Sequence, residues 1–551
     1  MPRGPWQRGP GAYMRQVGAI EEDLRLARAW STSDPVERID THVSWVFRAG
    51  DRVLKVKRPV SLGFLDFSTL EARRVACEAE VRLNARLAPD VYHGVRTIVR
   101  QADGSHTFGP MLDVGSPVPA DVVDFAVEMT RLDESVRMDS LIAARTLEAS
   151  DVERVAEHVA AFHARCRADE ETARFGMPDA VARNVKENFA QTRADLTTYI
   201  SEPDAAELER RQLGFLTEHG ALLEERARAG RVRDGHGDLR LEHVYLLADR
   251  NITVLDCIEF SERFRFADVC ADVAFLSMDL AWHERVDLAE RLLARYAREA
   301  SDYDLYAVVD FYEAYRAFVR GKIAALLAGD ELASPEARGR GAAEARRYFL
   351  LALSGARPPL VPASVVVVSG LVAAGKSTVA DRVGLELGAP VVDADRTRKQ
   401  MLGVEPTHTL RDGTWSGAYD RGFTDRVYAE MFRRAAVVLE SGRPVVLDAS
   451  FRSRALRAGA HALATRFGVP FRLVECRAPD ELLRARLAER SRGPSVSDAR
   501  ADLFDAFKAS WEAIDELRAA EHVVVDTSRD IDATMHVLRR RLDTWPAGLV
   551  A

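Results

Sequence analysis

The sequence predicts a mixed α/β chain in two parts: an α+β segment, strand-rich and then helical, followed by an α/β segment on a parallel sheet. Three observations carry this. Residues 41–60 and the stretch to about Met129 alternate like strands, whereas 151–227 is rich in Ala, Leu, Glu and Arg with a helical pattern. ARPPLVPA, 356–363, places three prolines in eight residues, which cannot continue a helix and suit an extended linker. SVVVVSG, 364–370, is β-branched on both faces, as a buried parallel strand must be. The divisions expected are a flexible tail at 1–17, a strand-rich lobe at 18–130, a helical lobe at 131–355, the linker at 356–363 and a last domain at 364–551.

Composition excludes other classes. The 551 residues are 47% hydrophobic and 29% charged, which rules out a disordered chain or a fibrous repeat. A net charge of −8 disfavours a general polyanion binder, so no nucleic-acid partner is expected. Five scattered cysteines without a C-x-x-C pair fit a reducing cytoplasm rather than a disulfide framework or zinc site. The Gly/Pro/Arg-rich N-terminus lacks an apolar leader core, and the apolar run near Val365–Ala374 is too short to span a bilayer, so no membrane association is expected.

The strand at 41–60 breaks at Ala49-Gly50-Asp51 into two strands, and a helix is expected over 68–87, stopped by Ala88-Pro89. Gly370-Leu371-Val372-Ala373-Ala374-Gly375-Lys376-Ser377 matches G-x-x-x-x-G-K-[ST] between a strand and a helix. Gly370, Ala374, Gly375, Lys376, Ser377 and Thr378 are therefore the expected nucleotide contacts. Backbone N–H groups and the helix N-terminus cradle phosphates, Lys376 reaches the β/γ-phosphates and the Ser377 hydroxyl ligates Mg²⁺. RPVVLDAS ends a second apolar strand at Asp448, where a carboxylate would hold the metal. FRLVEC and HVVVDT read as further strands.

PVVDADRTRKQ, 390–400, resembles the D-x-x-R-K segment of small P-loop kinases. Asp395 would accept the acceptor hydroxyl's proton, with Asp393 its rival, and Arg398 would hold an anionic or polyhydroxylated substrate. The arginine-rich 484–499 looks like a lid; Arg486, Arg490 and Arg492 are its candidates for the transferring phosphoryl group, with Arg490 taken as a nucleotide contact. This region resembles the P-loop kinase family that includes gluconate, shikimate and zeta-toxin-type kinases.

In the first part, His236-Gly237-Asp238 through His243, followed by a strand, NITVLDCIEF, that presents Asp256, resembles the catalytic loop and metal-binding Asp of aminoglycoside-phosphotransferase-like kinases. The resemblance implies a bilobal protein-kinase-like fold, with Asp238 as catalytic base and Asp256 on Mg²⁺. His243 stands where that family has Asn. Imidazole is a softer ligand than Mg²⁺ prefers, which leaves open a weak metal ligand, a phosphate contact or a structural group. Lys55, with Lys57 as rival on the same strand face, would bind phosphate, and Glu80 or Glu78 would pair with it. Met129 would lie at the hinge that contacts adenine. Asp268 and Asp272 would brace the metal loop; His158 and His163 are read as structural.

The whole is similar to a bacterial group that fuses these two kinase types. The implied activity is ATP- and Mg²⁺-dependent transfer to a hydroxyl of a small molecule, at two sites. Because of His243, the alternative is that only the C-terminal domain is active and the N-terminal one regulates it.

Overall fold

The computed structural model describes residues 20–541 except 31, 42, 63–64, 114, 249–250, 331–332, 411–416, 491–495 and 497–503. The expected tail at 1–17 and lid residue Arg492 lie outside the described residues. Packing divides the chain into two compact units. One comprises Met1–Leu147, Arg165–Lys186 and Leu213–Leu276; the other comprises Glu148–Ala164, Glu187–Gln212 and Ser277–Ala551. The helices of 131–355 are thus shared between the two units.

The first unit begins with β1 (Glu37–Asp40), β2 (Ser44–Ala49) and β3 (Arg52–Lys57), turning at Gly50, then a small hairpin of β4 (Ser61–Leu62) and β5 (Leu65–Asp66). After the helix Leu70–Asn84 come β6 (Tyr92–Arg100), β7 (His106–Met111) and β8 (Val122–Thr130). Six of these strands form an antiparallel sheet in the order β1-β2-β3-β8-β6-β7. The helix starts where the Thr69 hydroxyl accepts the Ala72 N–H at 3.1 Å. It buries Arg73, Ala76, Cys77, Glu80, Leu83 and Asn84, a three-to-four-residue spacing that makes one face. Buried Arg73 is held by Asp124 of β8 at 2.8 Å, which pins this face to the sheet. Two short antiparallel pairs follow: β9 (Val232–Asp234) with β12 (Phe266–Asp268), and β10 (Val244–Leu246) with β11 (Ile252–Val254).

The second unit is built on a five-stranded parallel sheet of β13 (Val365–Gly370), β14 (Val391–Asp393), β15 (Val445–Asp448), β16 (Phe471–Arg477) and β17 (His522–Asp526), in the order β14-β15-β13-β16-β17. Every residue of β13 and β15 is buried, as expected for a parallel sheet covered on both faces. The register aligns Val368 and Asp393 with Asp448, so both carboxylates stand at the C-terminal ends of adjacent strands. That edge is where open α/β sheets bind ligands. No described helix is long and apolar enough to cross a membrane.

Leu447, fully buried in β15, carries the core beneath this edge. Leu447→Ala is expected to lower stability by about 2–5 kcal/mol, read from the urea midpoint. Leu350→Ala, at a 45% exposed position, should stay within about 0.5 kcal/mol.

Candidate functional site

In the first unit, β3 carries Lys55 and Lys57 two residues apart on one face. Glu80 receives both: Lys55 Nζ lies 2.9 Å from Oε1 and Lys57 Nζ 2.5 Å from Oε2. Glu78 instead turns to Arg74 at 2.7 Å. The two lysines then diverge. Lys57 is closed off with Glu259, whereas Lys55 reaches Asp256 Oδ1 at 2.5 Å. Burial opposes the charge on Lys55, but Asp256 and Glu80 outweigh it and hold its pKa well above the ordinary value.

Asp256 was expected on a strand. It instead lies two residues beyond β11, with a left-handed backbone at φ 65°. This conformation is costly for a residue other than Gly and persists where the surroundings enforce it. Its N–H donates to the Tyr92 hydroxyl at 3.2 Å. Burial works against its charge, yet Lys55 and then His243 hold its carboxyl below the usual range.

The H-G-D loop hangs on Asp272, which accepts the N–H groups of His236 and Gly237 at 2.7 and 2.9 Å. Asp268 pairs instead with Arg226, at 2.6 and 2.8 Å. His236 Nε2 donates to the Leu255 carbonyl at 2.9 Å, and burial lowers its pKa to about 4. The ring is therefore a neutral spacer between the two loops. His243 Nδ1 donates to the Asp238 carbonyl at 2.8 Å, and its Nε2 lies 3.7 Å from Asp256 Oδ2. Arg240 grips Asp238 with two bonds, at 3.1 and 3.0 Å. Met129 is buried near the end of β8 against Val53 and Val127.

In the second unit, the turn after β13 takes left-handed backbone at Ala373 and Gly375 before the helix Lys376–Leu387. At Gly370 a β-carbon would come within 2.6 Å of the Cys476 carbonyl, so only glycine fits. Lys376 Nζ donates to the Leu371 carbonyl at 2.9 Å, and the Ala374 N–H closes a turn onto Leu371. Lys376, Gly375, Ser377, Thr378, Asp393, Asp395, Arg398, Asp448 and Arg490 all line one cavity of about 400 Å³. Arg486 donates to the Thr527 carbonyl at 2.7 Å and to the Ala373 carbonyl of the P-loop at 3.3 Å.

Asp448 is buried and hydrogen-bonds the Ser377 hydroxyl; burial raises its carboxyl to about 6 despite Lys376. Asp393 Oδ1 caps the helix Ala394–Met401 by accepting the Arg396 N–H at 2.7 Å. Its Oδ2 makes no hydrogen bond among the described residues and faces Arg298 Nε at 3.5 Å. Burial raises the Asp393 pKa, with Arg298 opposing.

Sequence reasoning missed several of these neighbours. Glu259 and Tyr92 gave no local signal. Arg295 and Arg298, on the helix Val286–Glu299, line the P-loop cavity from a segment that precedes the linker. Arg298 also pairs with Asp381. Their spacing marks a shared basic helix face, but nothing local to the sequence says what it faces. Tyr419, Tyr428 and Arg452 complete that wall.

A strand, glycine turn and helix around Lys376 at the edge of a parallel sheet define a P-loop nucleotide-binding domain, and the AAA domain family matches residues 365–514. Uncharacterized proteins of Mycobacterium tuberculosis and Mycobacterium bovis are 32% identical over 485 residues, covering 87% of this chain and 92% of theirs. The chain belongs to the same family as these mycobacterial proteins. Among solved structures, a gluconokinase from Sinorhizobium meliloti is 21% identical and covers 34% of this chain and 93% of its own, with TM-score 0.25. A choline/ethanolamine kinase family protein from Mesorhizobium loti is 13% identical, covering 61% and 97%, with TM-score 0.35.

The raised carboxyl of Asp448 has a stability consequence. Folding tightens its proton, so its contribution is favourable below the ordinary carboxylate range and is lost as pH rises through about 6. Asp448→Asn should therefore melt higher than the parent above pH 6, by up to about 3 kcal/mol, with the curves converging below about pH 4. Thermal melts across that range check it.

Proposed function

We propose that this chain is an ATP-dependent kinase that phosphorylates a hydroxyl of a small molecule, with one phosphoryl-transfer site in each unit. The observation that carries the reading is the convergence of Lys376, Ser377, Asp448 and the Asp393–Asp395 pair on a single cavity at the strand ends. Lys376 would neutralise the β/γ-phosphates. Asp395 or Asp393 would take the acceptor's proton. Phosphoryl transfer needs little more than such positioning and charge.

Mg²⁺ fits the residues present. A buried carboxylate with a raised pKa, bonded to a hydroxyl, is short of positive charge, and Asp448 with Ser377 would hold the ion there. In the first unit Asp256 would hold it, with His243 Nε2 nearby. When bound, the ion would neutralise charge on the transferring group. Lys55, set by Glu80, would hold phosphate, Asp238 would orient the acceptor hydroxyl, and Met129 would approach adenine. The sequence divisions at 18–130, 131–355 and 364–551 serve this reading as functional parts, in a cytoplasmic protein whose partner is the acceptor.

One observation favours a second reading, with only the P-loop site active. The two bonds from Arg240 engage both oxygens of the Asp238 carboxylate, so an acceptor hydroxyl there shares it with a guanidinium.

The test is ATP consumption by the full chain against a panel of D-gluconate, choline, ethanolamine and aminoglycosides. Two separable activities are expected. Lys376→Ala should cut one by at least about a hundredfold, and Asp238→Ala should cut the other by about 10²–10⁴. An Asp238→Ala protein that retains every rate would leave only the P-loop site. Loss of neither activity would overturn both readings.

A further inference from the structure

Lys57 is a buried cation that the proposed chemistry leaves without a task. It is 1% exposed, on β3 two residues beyond Lys55 and on the same face. Its ammonium meets Glu80 Oε2 at 2.5 Å and pairs with Glu259, which is itself buried. The Phe67 ring closes over it, with its centre 5.4 Å from Nζ. Phe67 follows β5 directly, and its carbonyl accepts from Arg73 Nη1 at 3.0 Å. One ammonium group thus joins four elements: β3, the helix Leu70–Asn84, the chain just past Asp256, and the end of the β4–β5 hairpin.

Lys55, by contrast, has ties that nucleotide would loosen. It serves two carboxylates, Glu80 at 2.9 Å and Asp256 at 2.5 Å. Phosphate would draw its ammonium outward, and Mg²⁺ would compete for Asp256. Lys57 stays enclosed by Phe67, Glu80 and Glu259. Without it, Glu259 would have no ion-pair partner among the described residues, and Glu80 would keep only Lys55. Buried carboxylates left in that state are costly. The two already repel: burial raises the Glu259 pKa, Lys57 opposes, and Glu80 adds to the rise.

We infer that Lys57 is a positioning residue of the first site: it ties Glu80 to Glu259, and so keeps the helix Leu70–Asn84 and the Asp256 segment in place while Lys55 turns to phosphate. The two lysines of β3 divide tasks that a single lysine–glutamate pair would have to combine. Lys55 handles nucleotide, and docking of the helix does not depend on it. The site is consequently assembled before nucleotide binds. This deepens the proposed function and rests on Lys55 being the phosphate contact of the first unit.

The experiment uses the full chain carrying Lys376→Met as parent, so that calorimetric titration with Mg²⁺ and the non-hydrolysable analogue AMP-PNP reports on the first unit. Amide hydrogen exchange without nucleotide, read by mass spectrometry, follows the helix Leu70–Asn84 and residues 256–259. In Lys55→Met, AMP-PNP affinity should fall about tenfold or more, while helix exchange stays at the parent rate. In Lys57→Met, helix exchange should quicken about tenfold or more, and AMP-PNP affinity should fall about as far although Lys55 is intact. Because Lys57 is buried, Glu259→Gln decides if that variant does not fold: it should speed exchange over 256–259 and weaken AMP-PNP, with the helix still held through Glu80. No AMP-PNP binding by the parent, or affinity unchanged by Lys55→Met, would overturn the phosphate role of Lys55 itself. With that role upheld, three outcomes each overturn the positioning role: helix exchange quickened about tenfold in Lys55→Met, parental helix exchange in Lys57→Met, or parental AMP-PNP affinity in Lys57→Met. Where Glu259→Gln decides, parental exchange or parental affinity does the same.

Discussion

Glu290 lies buried between two arginines, and the second site depends on it. Arg357 of the linker reaches its Oε1 at 2.5 Å, and Arg443, at the foot of β15, reaches its Oε2 at 3.0 Å. Arg357 continues to Glu313 and Arg443 to Asp310. Such a network is weak evidence for net stability, but removing one member strands a buried charge at about 3–5 kcal/mol. Its geometric effect is clearer. It holds the helix Val286–Glu299 against the parallel sheet, and the last turns of that helix deliver Arg295 and Arg298 to the P-loop cavity. Tyr303 adds a 2.6 Å bond to the Val391 carbonyl, which fixes β14 and hence Asp393.

The two candidate sites manage charge in opposite ways. In the first unit a single carboxylate, Glu80, is shared by two lysines, and the outer one is left to meet Asp256. Cation and anion thus hold each other in place. In the second, Asp448 and Asp393 are buried at neighbouring strand ends with raised pKa values. Burial is the first cause of both shifts, with Lys376 opposing it at Asp448 and Arg298 at Asp393. The first group is thus held by closely paired charges, the second by carboxylates that nearby cations answer only in part.

Much of this was legible in the chain because it is local. The P-loop strand shows itself by apolar residues on both faces, and the turn by glycines where a side chain cannot fit. The helix Leu70–Asn84 is marked by its cap and its face spacing. The choice between Glu80 and Glu78 was not local: it depends on which helix face meets β3. Asp256 was misread as a strand residue because ITVLD is β-prone, whereas tertiary contacts with Lys55 and Tyr92 impose a left-handed turn. Arg298 and Asp393 are separated by a linker and several elements, so no window of sequence could pair them.

The buried position of Arg357 changes what the proline-rich seam is. By composition it looks like a spacer at which one module could be cut from another. Its arginine is instead locked to acids from two helices that come earlier in the chain. Recombination at the seam would separate Arg443 from Glu290 and leave a guanidinium sealed in the interior without its counter-ion. The packed unit is therefore larger than the P-loop domain: it takes in chain upstream of the seam, including the helix that carries Glu290.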